Sequence, residues 1–419
     1  MVHNGILLIA LYTLAWIITL ICNIRSIRKW GASSVFYFSL VVYGIFSIIH
    51  YSIDQRGVIT LFPLIYLYVM FRIISNPIEQ YDRKKFLGVL PPRNESLLKG
   101  FTIFYLIISL SQVPSIIATI SDGISMILID TSAGAEIYAE TKSNQVLYDG
   151  VITNITAVFH GVFSPILFLL VFYYLSREKI DSKMVWCLSF CILIDFLSGL
   201  AKGLRTNATM MFMSFIITFF AFREFISENV VKYVKYVSIV LGFLVLIPFA
   251  AITTSRFADT DKGTSGYLIH YLGQSVTNFD LYALSANGIR NGDRTCNMFK
   301  HLLGISGTPK GMEETRMRYS YMKLDDSSFS TIVGDFVLDF GPYGAFLLFL
   351  IVSLLFRNAT KMKGRYIPFH KMILCYLLMI ICMQGGMYLF NFSYKGNLSL
   401  IAIFFFYIVF YWDYNAKRV

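Results

Sequence analysis

The sequence predicts an all-α polytopic membrane protein. Hydrophobic residues fill 56% of its 419 positions and charged residues only 15%, where a soluble domain carries about 45–50% and about 25%. Its 38 Phe and 27 Tyr enlarge an apolar surface too great for a water-soluble fold to bury. Apolar runs recur from one end of the chain to the other, and a membrane-crossing helix needs about 20 such residues. Together these observations exclude soluble enzymes, nucleic-acid binders and disordered proteins.

Eleven spans are expected, near 5–23, 35–53, 58–75, 100–120, 150–175, 184–201, 208–222, 236–253, 334–356, 372–390 and 398–413. The first carries no Lys or Arg before its apolar run and is followed by Arg25, Arg28 and Lys29. That polarity is the reverse of a secretory signal, and it sets the N-terminus outside. Later inner loops agree, holding Arg83, Lys84 and Lys85, then Arg177, Lys179 and Lys183, and so on to Lys417 and Arg418. The C-terminus is therefore expected in the cytoplasm. The net charge of +11 follows from this retention of basic residues and requires no nucleic-acid partner. Six scattered cysteines, five of them in apolar stretches, give no disulfide framework and no CxxC metal pair.

The expected organisation is eight spans over 1–253 with a smaller outer loop at 121–149, a large extracytoplasmic loop over 254–330, and three spans over 331–419. The large loop holds nine Lys/Arg and eight Asp/Glu, and long loops translocate largely regardless of charge. Tyr, Phe, Leu and Ile recur through it, which argues for order. Short helices are expected at 266–272, 297–305 and 312–324, lying against the membrane surface.

Chemistry-bearing residues concentrate on the outer side. Asp195 to Asn207 ends one span and opens the next around a Gly-containing turn, which fixes Lys202 and Arg205 at the interface. Arg256 follows the eighth span at the same depth. An arginine fork held there suits two phosphate oxygens at once, although cationic ends also snorkel to headgroups with no further role. Arg290, Arg294, Arg316 and Arg318 extend the cationic surface, as ordinary solvated charges also would. Asp195 and His160 lie within apolar spans, where ionisable groups are costly and mark either function or a structural bond between helices. Asp335 and Asp339 begin the ninth span. Tyr267, His270 and Tyr271 share one helical face, a surface fit for a stacked sugar ring and equally for an interfacial aromatic belt.

Three stretches then give a resemblance. They are Ser198-Gly-Leu-Ala-Lys-Gly-Leu-Arg205; Arg256 with Tyr267-Leu-Ile-His-Tyr-Leu-Gly-Gln-Ser-Val-Thr-Asn-Phe279; and Ser330-Thr-Ile-Val-Gly-Asp-Phe-Val-Leu-Asp-Phe-Gly-Pro-Tyr-Gly344. In these the chain resembles the Wzy-type polymerases of O-antigen and capsule, the oligosaccharide repeat-unit polymerases. The resemblance implies an inverting glycosyltransferase of GT-C type at the outer leaflet of a bacterial cytoplasmic membrane. Its donor would be a growing glycan on undecaprenyl diphosphate, its acceptor a single lipid-linked repeat unit, and a chain-length regulator its partner protein. It implies Arg205, Arg256 and Lys202 at the diphosphate, and a general base among Asp195, His270 and Asp335. Tyr267 and Tyr271 would line the sugar channel. No cofactor is expected, since no evident cluster of Asp, Glu or His demands a metal. The competing expectations are an O-antigen ligase, which transfers finished chains to lipid A core, and a flippase or transporter of the same lipid-linked sugars.

Overall fold

The structure, a computed structural model, describes residues 2–129, 151–201, 205–239, 242–243, 263–309, 312–322, 329–361, 364–388 and 393–416. Among these, nine helices are long and apolar enough to cross a membrane. The protein is a helical membrane protein with almost no sheet. The nine correspond to the first seven, the ninth and the eleventh of the expected spans, the fifth being Ile155–Leu175, which runs through a 3-10 turn at Ser164–Ile166. The tenth is Phe369–Gly385, apolar but only 17 residues long. The eighth, 236–253, lies mostly outside the described residues.

In chain order the helices are α1 (Val2–Ile27), α2 (Ala32–Ile53), α3 (Leu61–Arg83), α4 (Glu95–Ile129), α5 (Val151–Phe163), α6 (Leu167–Leu175), α7 (Ser182–Ala201) and α8 (Arg205–Phe222). A helix over 228–239, α9, follows. Then come α10 (Gly263–Asn278), α11 (Asn297–Leu302), α12 (Met312–Arg318), α13 (Thr331–Thr360), α14 (Phe369–Gly385) and α15 (Ser393–Asn415). Helices α10, α11 and α12 stand where the three short helices are expected. Helix α4 continues to Ile129, so the start of the expected loop at 121–149 is helical, and the rest of that loop lies outside the described residues.

Leu7, Leu11, Leu14, Ile18 and Ile21 are exposed along one stripe of α1. The spacing is that of one helix face, and an exposed apolar stripe of this length is a liability in water but the ordinary lipid-facing surface of a span. Leu347, Leu350, Ile351, Leu354 and Leu355 make the equivalent stripe on α13.

The chain divides into two compact units, both discontinuous in sequence, whereas the expected organisation ran in consecutive blocks. The first comprises 1–86, 268–365 and 371–404, and the second 87–267, 366–370 and 405–419.

In the first unit Trp16 is completely buried, its ring stacked 5.5 Å from Tyr37 and tilted against Tyr68 at 4.7 Å. Close approach of α1 and α2 depends on Gly44, where an added Cβ would meet Thr13 Oγ1 at 2.4 Å. Small residues let membrane helices approach in this way. Asp82, at the end of α3, accepts hydrogen bonds from Ala32 N (3.2 Å), Ser33 N (2.8 Å) and Ser33 Oγ (2.5 Å). It thereby caps the orphan N–H groups of α2 with a carboxylate at the positive end of the helix dipole. Mid-span in α3, Arg72 Nη1 donates to Glu79 Oε1 (2.5 Å) and to Tyr37 Oη (2.6 Å). Arg83 reaches the other oxygen of Glu79 at 3.2 Å.

Helix α13 is broken. Gly341 has φ 72° and ψ 168°, and Pro342 follows it. A left-handed φ is the conformation glycine alone adopts cheaply, and proline denies the next turn a donor. Tyr66 Oη donates to the Pro342 carbonyl at 2.5 Å, satisfying one acceptor at the break.

In the second unit a two-stranded parallel ladder pairs β1 (Gly88–Leu90) with β2 (Tyr366–Pro368), with Val89 opposite Ile367. Phe369, Phe406 and Phe410 pack edge to face beside Tyr173. Glu95–Arg177 (2.7 Å) and Lys99–Asp181 (3.0 Å) pair near the starts of α4 and α7.

Asp82→Ala removes three accepted hydrogen bonds at once, and a single unsatisfied buried group costs about 1–3 kcal/mol. The variant is expected to lose about 2–3 kcal/mol or more, measured as a lowered thermal unfolding midpoint of the detergent-solubilised protein against an exposed surface control such as Lys179→Ala.

Candidate functional site

Helix α10 lies directly on α2. An added Cβ at Gly273 would meet the Phe46 carbonyl oxygen at 2.4 Å and His50 Cβ at 2.7 Å, so only glycine permits this crossing. Ser47 Oγ donates to the Gly273 carbonyl at 2.6 Å and fixes the register. One turn away on each helix, His50 Nε2 and His270 Nδ1 stand 2.8 Å apart. At that distance one nitrogen carries the shared proton and the other accepts it, so the two rings cannot both be imidazolium on these atoms. Asp54 follows His50 by four residues at the end of α2, and Arg56 Nε donates to its Oδ1 at 3.0 Å. One ligand atom from each of His50, Asp54 and His270 falls within 4.8 Å of the others. His50 is buried, whereas Asp54 and His270 are half-buried and reachable.

An aromatic group adjoins this pair through Tyr271. Its ring meets Phe329 edge to face at 4.9 Å, and Phe329 stacks on Tyr388 at 5.6 Å. Thr331 has φ 68° in this neighbourhood, a strained backbone for a β-branched residue. It is held there by a hydrogen bond from its own N–H to the Met387 carbonyl (3.0 Å) and one from Gly334 N to its hydroxyl (3.2 Å). Such strain collects at functional sites.

Four charged residues tie the chain after α10 to α13. Asp339 is fully buried and accepts from Arg290 Nε (2.8 Å), Arg294 N (3.2 Å) and Thr295 N (2.7 Å). Arg290 is equally buried, and its backbone N–H donates to the Leu338 carbonyl at 2.7 Å. Its guanidinium is thus committed to holding the segment, and a substrate oxygen has no route to it without opening the structure. Asp335 stands 3.1 Å from Arg294 Nε and 3.8 Å from Arg290 Nη2. Arg294 retains 13% side-chain exposure and is the arginine of this pair that a ligand can approach. Farther along, buried Asp293 gathers Lys300, Arg318 (3.4 Å) and the Tyr319 hydroxyl (2.6 Å). Arg318 is exposed over about half its side chain, at 47%, and Arg316 is half-buried on α12.

Asp280 opens the π-helical turn Phe279–Leu284 and accepts from Thr60 N (2.6 Å) and Thr60 Oγ1 (3.2 Å). Burial raises its carboxyl above the ordinary range, and the Thr60 bonds offset this only in part.

The remaining expected residues fall elsewhere. Asp195 lies in the second unit, its Oδ1 3.8 Å from His160 Nδ1. His160 in turn stacks on Tyr105 at 5.3 Å, and the Tyr105 hydroxyl donates to the His160 carbonyl at 2.7 Å. The neighbour observed for Asp195 is thus a histidine of α5. Arg205 is the first residue of α8 and Tyr267 lies within α10, but their side chains, with all of Lys202 and Arg256, lie outside the described residues.

His50 and Asp54 become legible as site residues only once α2 and α10 come together. Their i, i+4 spacing does place them on one helix face, a signal that gains meaning only with a third ligand, His270, which lies 220 positions from His50. No cluster of Asp, Glu or His that demands a metal is visible in the sequence; among the described residues the Gly273 crossing brings together one group that could hold an ion.

Two outcomes follow. Asp339→Ala strands a buried guanidinium, which costs about 3–5 kcal/mol; limited proteolysis is expected to cut between 285 and 309 in this variant while sparing the parent. For Asp280, the folded-state carboxyl titrates above the unfolded one. Its contribution to stability is therefore fully present below the ordinary carboxylate range and is lost as pH rises through the raised value. Asp280→Asn, which keeps an acceptor for Thr60 N–H, is expected to unfold at a higher temperature than the parent at neutral pH, with the gap closing near pH 4, about the unperturbed Asp value.

Compared with known proteins, the chain matches no family model, no curated protein and no solved structure.

Proposed function

We propose that the protein is a membrane-embedded glycosyltransferase that polymerises oligosaccharide repeat units carried on undecaprenyl diphosphate. The observation that supports this reading best is the polar and aromatic chain over 268–309, packed through the buried carboxylates of Asp293, Asp335 and Asp339. A lipid-linked sugar needs both surroundings at once, a bilayer for its tail and an ordered polar platform for its glycan. Neither a soluble transferase nor a bare helical scaffold offers the two together.

In this reading the arrangement is GT-C-like, the membrane is the bacterial cytoplasmic membrane, and the site faces its outer leaflet, with the N-terminus outside. Arg205 and Arg256 hold the diphosphate, with Lys202 assisting. Negative charge develops on that group as the sugar departs, so fixed cations there favour the transition state over the ground state. The acceptor hydroxyl attacks with inversion, its oxygen forming the new glycosidic bond while the bond to the diphosphate breaks. Its proton passes to a general base. His270 suits that role better than Asp335, whose carboxylate lies between two guanidiniums, or Asp195, which faces His160. Tyr271 and Phe329 offer rings to the sugar, with Tyr267 on the same helical face, and Arg294, Arg316 and Arg318 supply polar contacts beyond them. Arg290 acts from inside the fold. A chain-length regulator is the expected protein partner.

The break at Gly341–Pro342 favours a second reading, because interrupted spans recur in transporters. An O-antigen ligase shares the substrates and differs in acceptor.

Purified protein in nanodiscs with its lipid-linked repeat unit is expected to build a glycolipid ladder, resolved on a gel. Arg205→Ala and Arg256→Ala are each expected to slow its appearance by about 100-fold or more, the scale of losing one charge-stabilising donor. Authenticated substrate that yields no ladder overturns the polymerase reading. Label crossing the bilayer would then support the transporter, and transfer to lipid A core the ligase.

A further inference from the structure

We propose that His50, Asp54 and His270 form a binding site for a divalent transition metal of the zinc class. The inference rests on the geometry of these side chains and requires no assignment of substrate; while His270 holds the ion it does not serve as general base.

Two imidazoles and a carboxylate are a donor set for zinc, iron, cobalt, nickel or copper, in contrast to the all-oxygen sets that magnesium and calcium prefer. Their ligand atoms already lie within 4.8 Å of one another. Around a tetrahedral zinc with bonds of about 2.0–2.1 Å, neighbouring ligand atoms stand about 3.3 Å apart. The two ring nitrogens, now at 2.8 Å, need to part by only about half an ångström. The carboxylate oxygen, within 4.8 Å of the ring nitrogens, needs to draw in by up to about 1.5 Å. A tautomeric shift of the shared proton to the other nitrogen of its own imidazole leaves both facing nitrogens with lone pairs for the ion.

The frame is built for convergence. Gly273 and Ser47 lock α10 onto α2, so the histidines are presented by two helices that cannot separate independently. The Asp54 backbone N–H donates to the His50 carbonyl at 2.8 Å, which ties the third ligand to the first. Arg56 donates to Asp54 Oδ1 and sets the plane of the carboxylate, the office of an outer-shell partner at a metal site. Partial exposure of Asp54 and His270 gives the ion a way in. Three protein ligands leave a fourth position for water or a ligand oxygen, the pattern of sites that are not purely structural.

The test uses untagged full-length protein in detergent, stripped with chelator and titrated with Co2+ and, separately, Zn2+. One equivalent of Co2+ is expected to bind with the visible absorption of a tetrahedral complex and to be displaced by Zn2+. His50→Ala and His270→Ala are each expected to weaken binding by more than the 10–100-fold that loss of an outer-shell partner costs, whereas His301→Ala leaves it unchanged. His270→Cys keeps a metal-binding side chain and is expected to restore binding with a new thiolate-to-cobalt charge-transfer band. Parent protein that binds neither ion overturns the proposal, as does undiminished binding by folded His50→Ala and His270→Ala. Where the alanine variants do not fold, His270→Cys decides: the charge-transfer band supports the site, and cobalt bound without it overturns the site.

Discussion

The fully buried contact between Arg290 and Asp339 is the constraint on which the first unit depends. A guanidinium and a carboxylate removed from water are each expensive, and the pair is tolerable only when geometry and further hydrogen bonds complete it. Asp339 meets that condition by also accepting the Arg294 and Thr295 backbone N–H groups. The contact therefore orders a stretch of main chain as well as neutralising a charge. Asn397 continues the effect from α15, bonding Met298 N at 3.3 Å and the Thr295 carbonyl at 3.1 Å. The segment is thereby held by polar contacts as well as by its apolar side chains.

That firmness bears on the proposed chemistry. Charge stabilisation in a transferase is effective when donors and bases are placed before the substrate arrives. His270 and Tyr271 sit on a helix pinned at Gly273, and Phe329 sits beside a threonine kept in a left-handed backbone by two hydrogen bonds. Each of these side chains is positioned by main-chain geometry, so their relative placement does not depend on substrate to create it.

Much of the helical plan is readable in the sequence because its signals are local. A span needs about 20 apolar residues in a row, and the runs around Leu7–Ile21 or Leu347–Leu355 supply them whatever lies elsewhere. The short helices α10, α11 and α12 are readable for the same reason. Interactions across long separations are not. His50 reads as an ordinary polar residue near the end of a span until α10 brings His270 against it, and Arg290 reads as a surface cation until Asp339 encloses it. The discontinuity of the two units has the same origin, since residues such as Phe369 and Phe406 join by packing across distant stretches of sequence. The break in α13 is half legible: Gly341-Pro342 is a visible interruption, but hydropathy alone runs smoothly through it.

The Arg72–Glu79 pair has a consequence for how the protein enters the membrane. A lone arginine at the centre of a span opposes insertion by about 2.5–3.5 kcal/mol. Helix α3 carries its own counter-ion seven residues on, so the charge is matched within a single helix before any neighbour is available. Tyr37 of α2 then completes the pair from a helix made earlier in synthesis. Biogenesis of this region can thus proceed helix by helix in order of translation, whereas Arg290 and Asp339 can be reconciled only after α13 has emerged.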